Sequence, residues 1–194
     1  MPIFDHFDWL APLYDRVIGR KEPKKLSELA HLPAPGLVLD AGGGTGRVAE
    51  TLFGLAQGVV VADLSFGMLR QAVAKNGLLT VNSHTEALPF PADSFDAILM
   101  VDALHHVCDQ ADTARELFRV LKPGGRIVIE EPDIRTVAVK LIAVFEKLAL
   151  MRSHFLSPAE IAKLFTNAHA RTHIEWEGFS AWVVVEKVAG GDDG

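Results

Sequence analysis

Short apolar runs alternate along this chain with stretches where apolar residues recur every three or four positions. The runs at 37–39, 59–62, 78–81 and 126–130, with the longer Phe95–Val101, read as strands. Between them, Val48, Leu52, Leu55 and Ala56 mark one amphipathic helix, Met68 and Ala72 a second behind the capping residue Ser65, and Ala114, Leu117, Phe118 and Leu121 a third. Asn76-Gly77 and Lys122-Pro123-Gly124-Gly125 punctuate the ends of the second and third helices. Residues 95–101 are almost continuously apolar, as expected of a strand covered on both faces of a parallel sheet. The runs at 171–176 and 181–185, separated by Glu177-Gly178, predict a hairpin. Together these elements predict an α/β fold, a doubly wound, mainly parallel seven-stranded sheet with a C-terminal antiparallel edge hairpin.

The same pattern divides residues 1–194 as a single domain. Phe4, Phe7, Trp9, Leu10, Leu13 and Tyr14 recur at helical spacing, interrupted by Pro12, and with a short helix at 27–31 they make residues 1–35 a helical arm or lid. Residues 36–131 hold the core. Residues 132–189 add C-terminal helices and the edge strands, and 190–194 form a tail. Val137, Leu141, Val144, Phe145 and Leu148 predict a long helix that covers an apolar substrate pocket or forms a homodimer interface, with core or cover as the default. Ser157-Pro158-Ala159-Glu160 opens another, with cap, first-turn proline and third-position acid in place.

Composition narrows the function classes. A chain of 194 residues, 49% hydrophobic and 23% charged, buries a core without metal or disulfide support. Cys108 is the single cysteine, so an internal disulfide and a cysteine-based metal cage are excluded, and no metal site is expected. A formal net charge of -6 disfavours nucleic acid and anionic membrane surfaces, which reward clustered cations. The cluster Arg20, Lys21, Lys24 and Lys25 is short and reads as a solvated loop. No stretch approaches the roughly 18 apolar residues of a spanning helix, and the first residues carry Asp5 and Asp8 in place of a basic leader. The expectation is a cytoplasmic protein, with no membrane insertion, acting on a small molecule.

The chemistry concentrates where strands end. Asp40-Ala41-Gly42-Gly43-Gly44-Thr45-Gly46 puts an acid at the end of a strand and glycines in front of a helix, so backbone can approach a ligand closely. Asp40, Asp63 and Asp102 all fall at carboxyl ends of predicted strands, the ligand crevice of an open α/β sheet. A phosphate-binding P-loop requires Lys and then Ser or Thr after its last glycine, where this chain has Arg47 and Val48. A dinucleotide fingerprint starting at Gly42 requires Gly or Ala at position 47, again Arg47. S-adenosylmethionine (SAM) carries no phosphate and needs room for a zwitterion, an acceptor for a ribose diol and a slot for adenine, and the strand-end carboxylates suit the first two.

Four ordered motifs resemble the class I SAM-dependent methyltransferases, in particular the ubiquinone/menaquinone-biosynthesis-like (type 11) group. They are 38–46, like the family's SAM loop; 59–65 with Asp63, like its ribose-binding acid; 87–107, like its adenine loop, fourth strand and active-site edge; and 121–126, like the turn before strand five. The resemblance implies a Rossmann-like fold that binds SAM and releases S-adenosylhomocysteine. It implies cofactor contacts at Asp40, Ala41, Gly42, Gly43, Gly44, Gly46, Asp63, Leu64, Met68, His84, Thr85, Glu86, Val101 and Tyr14. One departure stands at His84, where the family often places an Asp that accepts from the adenine amino group; a neutral imidazole can take that bond and a protonated one cannot.

Methyl transfer from a sulfonium needs alignment more than acid–base help, so a base matters only when the acceptor must lose a proton. His106 first, then His105 and Asp102, lie where such a group belongs; the alternative for the histidine pair is to cap and pack the loop after strand four. Two rival functions are a SAM-binding regulatory or scaffold protein without turnover, and a nucleotide-dependent oxidoreductase. Arg47 and the motif order oppose the second.

Overall fold

The near-continuous apolar run Phe95–Val101 is strand β4 at the middle of a seven-stranded sheet, and every other element is placed by it. The computed structural model describes residues 23–75, 77–132, 154–167, 169–178 and 180–188. The expected arm with Tyr14, the helix at 137–148 and the tail lie outside these residues. Helix α1 (Pro23–Leu29) is followed by β1 (Leu37–Ala41), β2 (Gly58–Asp63), α2 (Phe66–Val73), β3 (Leu78–Asn82), β4, α3 (Gln110–Val120), β5 (Leu121–Pro132), α4 (Pro158–Leu164), β6 (Ala170–Glu177) and β7 (Ser180–Lys187).

The strand order is β3-β2-β1-β4-β5-β7-β6. The first five are mutually parallel, and β7 runs antiparallel between β5 and β6. The order reverses at β1 and β4, which opens a crevice beyond their carboxyl ends. Apolar residues of β4 alternate between two cores, Ile98 and Met100 on one face with α3 and α4, Ala97, Leu99 and Val101 on the other with α1 and α2. The predicted doubly wound sheet and its antiparallel hairpin are therefore both present.

Local boundaries differ in three places. The helix predicted from Val48 to Ala56 is only a 3-10 turn at Ala49–Leu52, because Gly54 adopts φ +78° and turns the chain toward β2. The short helix expected at 27–31 starts earlier, at Pro23, a residue suited to a first helical turn. Leu121, read as the last helical residue, instead begins β5, with an irregularity opposite Phe95 and Ala97 before the regular ladder resumes at Arg126.

The capping box that opens α4 is formed. Ser157 Oγ accepts from the Glu160 N–H at 3.4 Å, and Glu160 Oε2 accepts from the Ser157 N–H at 2.8 Å. Ser157→Ala is expected to cost about 1 kcal/mol of stability, read as a shift in the urea midpoint with unchanged slope.

Candidate active site

The glycine loop is held by the strand beside it. Gly42 N–H donates to the Ala62 carbonyl at 2.7 Å, and Gly46 N–H donates to the Gly43 carbonyl at 2.9 Å. Gly42, Gly44 and Gly46 adopt φ of +68°, +54° and +70°, the left-handed region that favours glycine. A Cβ on Gly42 would lie 2.7 Å from Ala103 Cβ, and one on Gly46 2.6 Å from Leu78 Cδ1, so these two seat the loop on its neighbours. A Cβ on Gly44 would meet nothing nearer than Asp63 Oδ2 at 3.9 Å and Met68 Sδ at 4.0 Å. Gly44 is thus the crest of a cradle with Asp63 and Met68 as its far wall. Gly42→Ala suffers both the φ penalty and the clash and is expected to lose about 2 kcal/mol of stability, with Gly44→Ala losing less; paired urea melts check the order.

The three strand-end acids take different roles. Asp63 Oδ2 accepts from the Gly44 N–H and Oδ1 from the Ser65 N–H, both at 2.8 Å, so this carboxylate joins the loop crest to the start of α2. Ser65 caps α2 by accepting from Met68 N–H. Asp40 is buried, and its Oδ2 accepts from the Ala49 N–H at 3.2 Å, shaping the turn behind the glycines. Burial pushes its carboxyl up to about 7, against the opposing pull of the Ala49 N–H and Arg47. Asp102, at the end of β4, holds φ +53° and lies 3.8 Å from the buried Arg47 guanidinium. The residue that excluded a P-loop and a dinucleotide fingerprint in sequence thus ties the glycine loop to β4.

The segment expected around adenine is anchored from inside. Glu86 Oε1 accepts from the Cys108 and Asp109 N–H groups at 2.9 and 3.2 Å, and the Thr85 hydroxyl lies 3.1 Å from that of Thr113. Glu86 and Thr85 therefore fix the loop against α3. His84 is exposed, with Nδ1 3.9 Å from Glu86 Oε2.

The histidine pair sits on a 3-10 turn at Leu104–His106. His105 is buried, stacks on Phe155 at 4.3 Å and places Nδ1 2.5 Å from Glu131 Oε2. His106 is half-buried against it at 4.0 Å between ring centroids. Burial, reinforced by His105, pushes His106 down to about 3, so it stays neutral at physiological pH. Gln110 Nε2 donates to the carbonyls of Leu104 and His154, tying this turn to the segment before α4.

A loop of alternating left-handed glycines, an acid at the end of the next strand and a histidine turn after β4 thus gather at the carboxyl ends of the parallel strands. The methyltransferase domain family matches residues 39–129. The ubiquinone/menaquinone biosynthesis C-methyltransferase UbiE of Stenotrophomonas maltophilia is 35% identical over 173 residues, covering 84% of this chain and 66% of its own. The chain belongs to the class I methyltransferase family. UbiE of Hahella chejuensis is 40% identical over 144 residues, 64% of this methyltransferase-family chain and 57% of the relative. The chain thus spans about half to two thirds of the length of these curated relatives. The fold is also that of a SAM-dependent methyltransferase from Mesorhizobium loti, at 19% identity and a TM-score of 0.72, covering 84% of this chain and 96% of that one.

Three residues of this candidate site escaped the sequence reading. Asn82 Nδ2 donates to the Asp63 and Leu64 carbonyls at 3.0 and 2.8 Å, fixing the turn that carries the acid; its signal was a carboxamide at the end of a strand beside Asp63. Phe66 is exposed next to exposed Leu64, an apolar pair flanking the same acid. Glu131, one of two acids closing β5, is the partner of His105. Tyr14 lies outside the described residues.

Proposed function

We propose that this chain transfers a methyl group from SAM to a small, partly apolar acceptor, leaving S-adenosylhomocysteine. The observation that carries the reading is the Asp63 carboxylate facing the open side of the Gly44 crest. This cradle fits a phosphate-free zwitterion with a ribose diol. It offers a carboxylate acceptor and close backbone, and the loop segment 40–46 itself carries no lysine or arginine, where a phosphate would need cations.

When bound, SAM supplies an electrophilic methyl on a sulfonium whose sulfur leaves as a neutral thioether. Gly42, Gly44 and Gly46 would leave room for its amino-acid end, with Asp40 holding the loop from behind. Asp63 would accept from the ribose hydroxyls. Exposed Leu64 and Phe66, with the backbone of 84–86, would border adenine, and His84 would offer a further acceptor there. Val101 and Met68 would close the apolar wall. The turn bearing His105 and His106 beside Asp102 would face the acceptor, since it leaves the carboxyl end of β4. Carbon methylation, the reaction in the UbiE relatives' name, requires loss of a proton from the acceptor and so gives these histidines work.

Acceptor chemistry aside, the cofactor decides the reading. Calorimetric titration with SAM, S-adenosylhomocysteine and NADH is expected to show saturable binding of the first two and none of the third. Binding of NADH without SAM would overturn it in favour of an oxidoreductase.

A further inference from the structure

The segment 84–86, which follows β3, faces two ways. His84 is exposed, whereas the Thr85 hydroxyl and the Glu86 carboxylate turn toward α3. Glu86 Oε1 accepts from the Cys108 N–H at 2.9 Å and from the Asp109 N–H at 3.2 Å. Its Oε2 accepts from the Thr85 hydroxyl at 3.3 Å, and that hydroxyl lies 3.1 Å from the hydroxyl of Thr113 in α3. Both carboxylate oxygens of Glu86 are therefore engaged within the protein.

What Glu86 holds is the far end of the histidine turn. The chain leaves β4 at Val101, forms the 3-10 turn Leu104–His106 and reaches Cys108 just before Asp109 caps α3. Backbone N–H groups at the start of a helix have no partner within it, and a carboxylate there also meets the partial positive charge of the helix end. At the near end of the same stretch, Glu131 of β5 accepts from the Leu104 N–H at 2.7 Å. Between these two carboxylates the turn's own bonds are longer, His106 N–H to the Ala103 carbonyl at 3.1 Å and Val107 N–H to the Leu104 carbonyl at 3.4 Å. Bonds of that length leave the turn dependent on its ends. Of the two carboxylates, Glu131 comes from the sheet and Glu86 from the segment that would border the cofactor.

We propose that Glu86 is a positioning residue that couples cofactor binding to the histidine turn. A ligand seated against the backbone of 84–86 steadies Glu86, and Glu86 steadies residues 104–109, so the acceptor side of the site is set when the cofactor is in place. This rests on the methyl-transfer reading, which supplies the ligand. The coupling is reciprocal: whatever loosens the turn also weakens cofactor binding, by the same factor.

The test is amide hydrogen exchange read by NMR, with and without S-adenosylhomocysteine, on the wild type, Glu86→Ala and Glu86→Gln. Glu86→Ala is expected to speed exchange of the His106 and Val107 amides, whose own bonds do not involve Glu86, by about tenfold or more, with the Val128 and Ile129 amides of β5 unchanged. S-adenosylhomocysteine is expected to slow the His106 and Val107 amides in the wild type and in Glu86→Gln, whose carboxamide oxygen still accepts, and to leave them unslowed in Glu86→Ala. All three proteins are expected to bind it within about tenfold of one another by calorimetry. A wild type that binds the ligand with no slowing at these amides overturns the proposal and needs no variant to be folded. Amides unmoved in folded Glu86→Ala, or slowing by the ligand that persists there, also overturn it. A wild type that binds no S-adenosylhomocysteine overturns the methyl-transfer reading, and the ligand-free exchange of the three proteins then decides whether Glu86 positions the turn.

Discussion

Asp63→Ala is expected to weaken SAM binding by two to three orders of magnitude while leaving the protein folded. The carboxylate holds the Gly44 and Ser65 N–H groups, each at 2.8 Å, and in the proposed complex it also accepts from the ribose. A hydrogen bond to a charged group contributes about 1.5–3 kcal/mol, and losing two such bonds to the ligand at the lower end of that range gives about 3–4 kcal/mol, a factor of about 100–1,000 in dissociation constant. Asp63→Asn keeps the shape but places an NH2 group where one backbone donor or ribose hydroxyl requires an acceptor, so an intermediate loss is expected. Calorimetric titration of the three proteins measures the series. A change of tenfold or less in Asp63→Ala would show that the carboxylate only shapes the loop.

The pH dependence of stability should carry the signature of Asp40. Its carboxyl is raised from 3.8 to about 7, first by burial and partly restrained by the Ala49 N–H and Arg47. The folded protein then binds this proton more tightly than the unfolded chain does. The stabilisation is fully present below pH 3.8 and is lost as pH rises through about 7. At about 1.4 kcal/mol per pH unit, the rise from 3.8 to about 7 corresponds to on the order of 4 kcal/mol. Asp40→Asn has no proton to lose, so its unfolding free energy relative to wild type is expected to rise by about that amount between pH 4 and pH 8. Urea melts across the range measure it. Parallel curves for the two proteins would show that Asp40 ionises at an ordinary carboxylate value.

Periodicity recovered the parts of this fold that repeat a local rule. Phe95–Val101 was legible to the residue because an unbroken apolar run in a parallel sheet has little freedom to be anything else. The hairpin and the cap at Ser157 were legible for the same reason, since turn and cap chemistry are local. The turn after the glycine loop was not. Val48, Leu52 and Leu55 carry helical spacing, yet the chain must reach β2 quickly, and Gly54 ends the helix first. Of the site, the glycine loop and Asp63 were legible because backbone clearance and strand-end acids are written in residue type. The pairing of Glu131 with His105 was not, because it joins residues 26 positions apart through the side-by-side packing of β4 and β5. Asn82 was missed likewise, as its carbonyl partners lie across the β2–β3 ladder.

The placement of β7 between β5 and β6 bears on how such a chain is made. Synthesis delivers β1 to β5 first, in an order that already builds the parallel ladder, but β5 then keeps an unpaired edge until residues 180–187 have emerged. That edge is apolar, with Ile127, Val128 and Ile129 awaiting Val183, Val184 and Val185. A nascent chain at that stage would have its glycine loop complete and an apolar sheet edge still unpaired, the stage at which a chaperone would count most.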